Sequence, residues 1–337
     1  MSEGFINLAV PSVEVASTPA GDANETKVYD VVVVGSGPAG WTAAVYTARA
    51  GLEPLVLAGT LDAGGALMNT TEVENFPGFP EGVMGPDLME KMQAQAERFG
   101  AVVEYEDATE LDLTGDIKTI TTESATYQAK SVILALGSEY KKLGLEKEKA
   151  YSGKGVSYCA TCDGFFFKNK EIVVVGGGDS AATEALFLSR FGSTVHVVHR
   201  RDELRASKIM ADRMLADEKI VMHWNSRVVD LQGDGSLEGV TLEDTVTGER
   251  SELPASGLFV AIGHEPRSGV VASQIDLDES GYVLVEEPST RTNVPGVFAC
   301  GDVVDHIYRQ AITAAGTGCK AALDAQTYLE ALEALEG

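Results

Sequence analysis

Two stretches of this chain repeat one arrangement: a strand of the fully buried type, a glycine-rich turn, a helix and a second strand. In the first, Val28-Tyr29-Asp30-Val31-Val32-Val33-Val34 runs into Gly35-Ser36-Gly37-Pro38-Ala39-Gly40, an alanine-rich helix over Trp41 to Ala50, and a strand Pro54-Leu55-Val56-Leu57-Ala58. In the second, Glu171-Ile172-Val173-Val174-Val175 precedes Gly176-Gly177-Gly178-Asp179-Ser180-Ala181, a helix over Ala182 to Phe191, and a strand Thr194-Val195-His196-Val197-Val198. Such continuous β-branched runs belong to parallel strands covered on both faces. In the first turn Gly35 makes the bend, Gly37 lets the backbone approach a pyrophosphate, Gly40 lets helix and strand pack closely, and the amides of the helix start bind the anion. One such turn is weak evidence, since glycine turns also serve structure alone. Two in the same setting predict two nucleotide sites. The expected fold class is α/β with two Rossmann-like three-layer nucleotide-binding domains, and 337 residues exceed what one core serves.

The residues just after each second strand separate the ligands. A domain selecting NAD places an acid there, whereas a 2′-phosphate calls for cations. The second copy has His199-Arg200-Arg201, with Arg205 one helical turn on. Against 51 acidic and 26 basic residues, a net charge of −25, three arginines within six positions point to NADPH in preference to NADH. The bland alternative is a solvated basic helix face. The first copy has no such cluster and runs into Asp62-Ala63-Gly64-Gly65-Ala66. Near the far end, Val297-Phe298-Ala299-Cys300-Gly301-Asp302 reads as a short strand ending in Gly-Asp. Alone, Asp302 is an ordinary helix cap. Beside a nucleotide fold it suits a ribose or ribityl hydroxyl of a second, larger nucleotide. Two unlike nucleotide sites imply electron transfer between them.

The shortage of Lys and Arg argues against nucleic acid or an anionic membrane as partner. No apolar run approaches the roughly 20 residues that span a bilayer. The segment before Val28 has no basic residue until Lys27 and no long apolar core, so residues 1–27 read as a mobile polar arm and not a signal peptide. The expectation is a soluble, cytoplasmic protein.

Of four cysteines, two form Cys159-Ala160-Thr161-Cys162, with Asp163-Gly164 directly after them. This spacing can close a short disulfide ring, and Asp163 could lend a proton to a departing thiolate and recover it. A zinc half-site would need two further ligands at comparable spacing, and the sequence has no second pair. An inert buried pair is the other alternative. Cys300 and Cys319, isolated among apolar or small residues, read as packing residues.

The segments Gly35 to Gly40, Thr71-Glu-Val-Glu-Asn-Phe-Pro-Gly78, Cys159 to Gly164, His199-Arg-Arg-Asp202 with Arg205-Ala206, Gly257-Leu-Phe-Val-Ala-Ile-Gly-His264 and Gly301-Asp-Val-Val-Asp-His-Ile-Tyr-Arg-Gln310 together resemble the low-molecular-weight, bacterial-type thioredoxin reductases. The resemblance covers the chain from about Lys27 to Leu332 in unbroken order. It implies a homodimeric flavoenzyme whose NADPH domain, residues 141–263, is inserted into an FAD domain made of residues 28–140 and 264–337. It also implies that NADPH reduces FAD, that the flavin opens the Cys159–Cys162 disulfide, and that the dithiol reduces thioredoxin. By the same resemblance Cys162 is the flavin-proximal sulfur, Cys159 the exchanging one and Asp163 the proton donor. The implied FAD set is Gly35, Ser36, Gly37, Pro38, Ala39, Gly40, Gly59, Gly64, Gly65, Ala66, Asn75, Gly137, Gly301, Asp302, Arg309, Gln310 and Ala311. The implied NADPH set is Gly177, Gly178, Asp179, Ser180, Ala181, His199, Arg200, Arg201, Arg205, Ile262 and Gly263, and no metal is implied. Because the cysteines and the nicotinamide site share one domain, a rotation about the two crossing segments is implied.

Three positions depart from the family pattern: Ala66 stands where Gln is usual, Leu136 where Thr is usual, and Cys300 where a smaller residue such as Ala is usual. The arm before Lys27 has no recognised counterpart. Competing functions are a same-fold NADPH-dependent flavoprotein reducing another redox or peroxide-linked partner, and a non-catalytic nucleotide sensor. The intact Cys159, Cys162, Asp163 and Arg200 argue against the latter. The charge of −25 suggests adaptation to a salt-rich cytoplasm, where ionic strength screens repulsion between surface carboxylates.

Overall fold

A computed structural model describes residues 27–336 except 62 and 71, so the polar arm expected over 1–27 lies outside the described residues apart from Lys27. The strand Val28–Val34 sits at the middle of a parallel sheet, beside Pro54–Leu57 and Thr126–Leu134. Beyond Pro54–Leu57 comes Val102–Glu104, and Val297–Ala299 lies parallel to the end of Thr126–Leu134, with Val297 opposite Val132. That pairing carries residues from near the end of the chain to the edge at which the first glycine turn lies. Lys118–Thr121 and Glu110–Asp112 extend the sheet as an antiparallel meander.

A second parallel sheet runs in the order Val156–Ser157, Gly257–Val260, Glu171–Val175, Thr194–Val198, Ile220–His223. A three-stranded antiparallel sheet, Ser226–Gln232, Gly239–Asp244 and Arg250–Pro254, packs beside it. Val31, Val32 and Val33, like Ile172, Val173 and Val174, are fully buried, as expected of strands covered on both faces. Four apolar clusters result, two on each parallel sheet, and none is shared between the sheets. The chain crosses from one sheet to the other twice. The crossings pair as a short antiparallel ladder, Ser138–Tyr140 against His264–Pro266, with Tyr140 opposite His264.

Both helices begin three residues earlier than the alanine-rich pattern predicts, at Pro38–Arg49 and Asp179–Leu188. Gly37 and Gly178 already act as the residues preceding the first helical turn, and Pro38 supplies the φ that the first position needs. The closing helix Ala311–Glu336 packs on Pro38–Arg49 so closely that a Cβ on Gly318 would lie 2.2 Å from the Ala39 carbonyl oxygen. Among the described residues no helix is long and apolar enough to cross a membrane. Among the acidic residues described, Glu148 is the least exposed and only a few others, such as Asp163, Glu184 and Asp302, are substantially enclosed, so most of the negative charge lies outside the cores.

Candidate active site

The first glycine turn is built by contact. Gly35 has φ 109°, and a Cβ there would strike the Ala135 carbonyl at 2.2 Å, so the bend requires glycine. A Cβ on Gly40 would lie 1.9 Å from the Gly35 oxygen, while Gly37 has open space above it. No side chain caps the helix Pro38–Arg49 at Gly37, which leaves the Ala39 and Gly40 amides available to an anion. Ser36 is buried; its hydroxyl donates to the Ala58 carbonyl at 2.6 Å and accepts from the Gly64 amide at 2.8 Å. Those two bonds hold the Gly64–Gly65 loop over the turn, with Gly65 passing close to Gly37. Gly59 and Gly137, both at positive φ, end the neighbouring strands.

The parallel strand Val297–Ala299 delivers Gly301 to the same place. Its amide donates to Thr317 Oγ1 at 2.9 Å, and a Cβ on it would meet Ala39. The adjoining Asp302 is half-buried, and among the described residues no donor reaches its carboxylate. Burial, with Asp305 nearby and Arg309 opposing, pushes its carboxyl up to about 6. A half-buried carboxylate with no protein donor beside an open, uncapped helix start suits the ribityl hydroxyls and pyrophosphate of a flavin dinucleotide. Asp305 accepts the amides of Ile307, Tyr308 and Arg309, and this fixes the loop that presents Arg309 and Gln310 ahead of Ala311. Asn75 Nδ2 donates to Gln310 Oε1 at 3.2 Å, so these two residues, 235 positions apart, are neighbours. Ala66 falls in the short turn Gly65–Asn69 and makes no side-chain bond there.

In the second turn Gly178 is unobstructed and no side chain caps Asp179–Leu188. Ala181 is buried under the turn and Ser180 faces outward. The arginine loop is fastened over this helix start: the amides of Arg205 and Ala206 both donate to the Gly177 carbonyl, and Asp179 Oδ1 accepts the amide and hydroxyl of Ser207. Arg200, Arg201 and Arg205 are exposed, and none forms an ion pair among the described residues. His199 differs from its sequence neighbours. It is buried, its Nε2 lies 2.9 Å from the Glu203 carbonyl, and a Cβ on Gly177 would collide with its ring. It floors the turn while the arginines face outward, a surface suited to the 2′-phosphate of NADPH. Gly263, at φ 105°, accepts from the Lys141 amide, and Ile262 lines a cleft of about 420 Å³ with Tyr140, Lys141 and Glu265.

Cys159 and Cys162 are joined by a disulfide across the helical turn Ala160–Asp163, immediately after the edge strand Val156–Ser157. Ser157 accepts the Cys159 amide at 3.1 Å and donates to Asp163 Oδ2 at 2.6 Å. Burial raises the Asp163 carboxyl, and the Ser157 bond partly offsets the rise. Thr161 Oγ1 lies 3.4 Å from Cys159 Sγ and accepts from Gln310 Nε2 at 3.3 Å. The redox turn of the second sheet therefore faces the Asn75–Gln310 pair. Sequence reasoning does not single out Ser157, Thr161 or Asp305, because no motif spacing marks a serine two positions before a cysteine or a residue that only braces a loop. Cys300 is fully buried, and burial pushes its thiol up to about 12, so it packs without reacting.

A family model described as pyridine nucleotide-disulphide oxidoreductase matches residues 29–318. The chain is 63% identical over 306 residues to a thioredoxin reductase of Streptomyces clavuligerus, covering 90% of this chain and 95% of that one. Among solved structures, thioredoxin reductase from Streptococcus pyogenes MGAS5005 matches with a TM-score of 0.86 at 40% identity, over 91% of this chain and all of that one. Lactococcus lactis thioredoxin reductase in its FR conformation gives a TM-score of 0.61 at 43% identity, over 89% of this chain and 99% of that one.

Proposed function

Because the chain belongs to the pyridine nucleotide-disulphide oxidoreductase family, we propose that it works as an NADPH-dependent thioredoxin-disulfide reductase with FAD as its resident cofactor. The observation that carries this reading is the Cys159–Cys162 disulfide turn held against Gln310, which Asn75 contacts and which directly precedes the helix packed on Pro38–Arg49. When bound, NADPH supplies a hydride and FAD passes the two electrons on to a disulfide. In this reading the uncapped helix start at Gly37 to Gly40 would hold the FAD pyrophosphate, Asp302 would accept from a ribityl hydroxyl, and Arg200, Arg201 and Arg205 would hold the 2′-phosphate of NADPH. His199, Asp179 and Ser207 act at one remove, by fixing the turn and loop that carry those groups.

The protein's own chemistry lies in the cysteine turn. Opening the disulfide takes two electrons and two protons; one sulfur departs with the electron pair of the broken bond. Asp163, protonated over a wider pH range because it is buried, gives a proton to that thiolate and recovers one later. The Cys159 thiolate then attacks one sulfur of oxidised thioredoxin to form a mixed disulfide. Cys162 attacks Cys159, re-forming the Cys159–Cys162 bond and releasing reduced thioredoxin.

We further infer that residues 28–140 with 264–337 form the flavin unit and residues 141–263 the NADPH unit, turning on the Ser138–Tyr140 and His264–Pro266 ladder. Support comes from the four separate cores. It comes too from the poorer match to the relative of higher identity, which is what two similar units in a different mutual placement would give. A homodimer fits the exposed apolar side chains of Tyr46, Ile312 and Leu323 on the two packed helices, and sedimentation would measure it. Thioredoxin-dependent oxidation of NADPH by the FAD-loaded protein tests the whole reading. Absence of turnover with every thioredoxin tried would refute it.

A further inference from the structure

A line of hydrogen bonds runs from Asn75 and Gln310 into the cysteine turn, and its direction is fixed by chemistry. Gln310 Nε2 lies 3.2 Å from the carbonyl oxygens of both Tyr308 and Arg309, which only accept, so the amide nitrogen must occupy that side. Its oxygen therefore faces Asn75 Nδ2, and the same nitrogen donates to Thr161 Oγ1. Gln310 takes one of the two lone pairs on the Thr161 hydroxyl, which keeps its own hydrogen to donate. Cys159 Sγ lies 3.4 Å away and, being half of a disulfide, carries no hydrogen to give. Each donor thus points toward the sulfur.

We propose that Thr161 is a catalytic residue that donates a hydrogen bond to Cys159 as its sulfur departs from Cys162, with Gln310 as the positioning residue that aims the hydroxyl. The inference rests on the reductase reading above, and it assigns work to a residue of the Cys-Ala-Thr-Cys motif that would otherwise be a spacer. In the step concerned the S–S bond breaks, Cys159 leaves with its electron pair as a thiolate, and the two electrons are those the reductase reaction supplies. Thr161 keeps its proton throughout; Asp163 is the proton donor. Negative charge growing on sulfur strengthens the bond from Thr161, and the bond from Gln310 makes that hydroxyl a better donor. Asn75 and Gln310 lie in loops outside the second sheet, Gln310 directly before the helix Ala311–Glu336, so the relay is complete only while the turn faces them. Once turned away, Cys159 would retain Thr161 without Gln310 behind it. Its thiolate would be more basic and a stronger nucleophile toward a partner disulfide.

The test uses FAD-loaded full-length protein reduced anaerobically with dithiothreitol and desalted. Iodoacetamide labelling of Cys159 is then tracked by peptide mass across pH, with rates normalised to bound FAD. Thr161→Val should slow labelling at pH 7 by about threefold and move its profile to higher pH, the scale expected for one hydrogen bond to a charged acceptor partly open to solvent. Thr161→Ser should restore the profile, and Gln310→Met should move it in the same direction by less. A Thr161→Val profile coincident with wild type would overturn the proposal, as would failure of Thr161→Ser to restore it. Labelling does not require thioredoxin, so a wild-type protein that fails to reduce thioredoxin would sink the functional reading while this result still decides the role of Thr161.

Discussion

The Ser157 hydroxyl donates to Oδ2 of Asp163 at 2.6 Å while accepting the amide of Cys159, so one side chain ties the Asp163 carboxyl to the start of the cysteine turn. Burial and this bond act oppositely on Asp163: burial favours the neutral acid, the bond favours the carboxylate. Asp163→Asn is predicted to lower thioredoxin-linked turnover by about 10²-fold, the range of a lost general acid. Ser157→Ala removes the bond that favours the charged form, so the acid persists to higher pH. In steady-state rates measured against pH, the alkaline limb for Ser157→Ala should therefore move upward. A downward shift would mean that Ser157 orients Asp163 without tuning it.

Arg200, Arg201 and Arg205 project from a loop anchored to Gly177 and Asp179 by backbone bonds and by Ser207. Because those anchors do not involve the guanidinium groups, Arg200→Ala with Arg201→Ala should leave the loop in place. The predicted outcome is a KM for NADPH raised by about tenfold or more, with little change in the KM for NADH, as expected for two lost charge-assisted contacts. Equal loss with both coenzymes would mean that the loop serves the fold.

Surface carboxylates dominate the charge, and Glu148 is the least exposed acid among the described residues. It is held by the amides of Leu143, Gly144 and Leu145 and by the Tyr158 hydroxyl. Repulsion among the exposed acids is long-ranged at low salt and screened within about 8 Å at physiological ionic strength. Melting monitored by circular dichroism should show Tm rising by about 5 °C or more between low salt and molar KCl. A melting temperature independent of KCl would count against salt adaptation.

On the crossing ladder Tyr140 packs between His264, its ring tilted at 4.6 Å, and Tyr158, its ring stacked at 5.2 Å. Burial, with Arg309 and Lys141 nearby, lowers His264 to about 4. A base whose folded pKa is depressed contributes stability above its unfolded value of about 6.5. That contribution is lost progressively as pH falls toward the folded value. Glu184 and Asp302, raised to about 7 and about 6, work with the opposite sign, so the comparison must be between variants. From pH of about 7.5 to about 3.5, a window spanning the unfolded and folded values, His264→Gln should lose less Tm than wild type. A parallel loss would mean that His264 takes up its proton without cost.

The parts readable from sequence are those with local pattern. The two strand–glycine–helix units, the Cys159–Cys162 spacing and the basic run after Val198 each lie within about thirty residues, and the structure places the glycine turns and the basic run at the strand ends where periodicity puts them. The remainder depends on long-range approach. Gln310 meets Thr161 from 149 positions away and Asn75 from 235, and neither glutamine nor threonine carries a spacing that announces the other. Gly318 is unremarkable inside a helix pattern, although its lack of a Cβ lets the Ala39 carbonyl approach. His199 belongs by position to the basic run but turns inward, because its ring packs against Gly177 and its Nε2 meets the Glu203 carbonyl.

The most direct measurement counts the thiols appearing on thioredoxin for each NADPH consumed, in FAD-loaded wild type, Cys159→Ser and Cys162→Ser. Two electrons passing through the Cys159–Cys162 disulfide predict two new thioredoxin thiols per NADPH in wild type and none above background in either variant. Undiminished thiol production in either variant would contradict the claim that this disulfide carries the electrons.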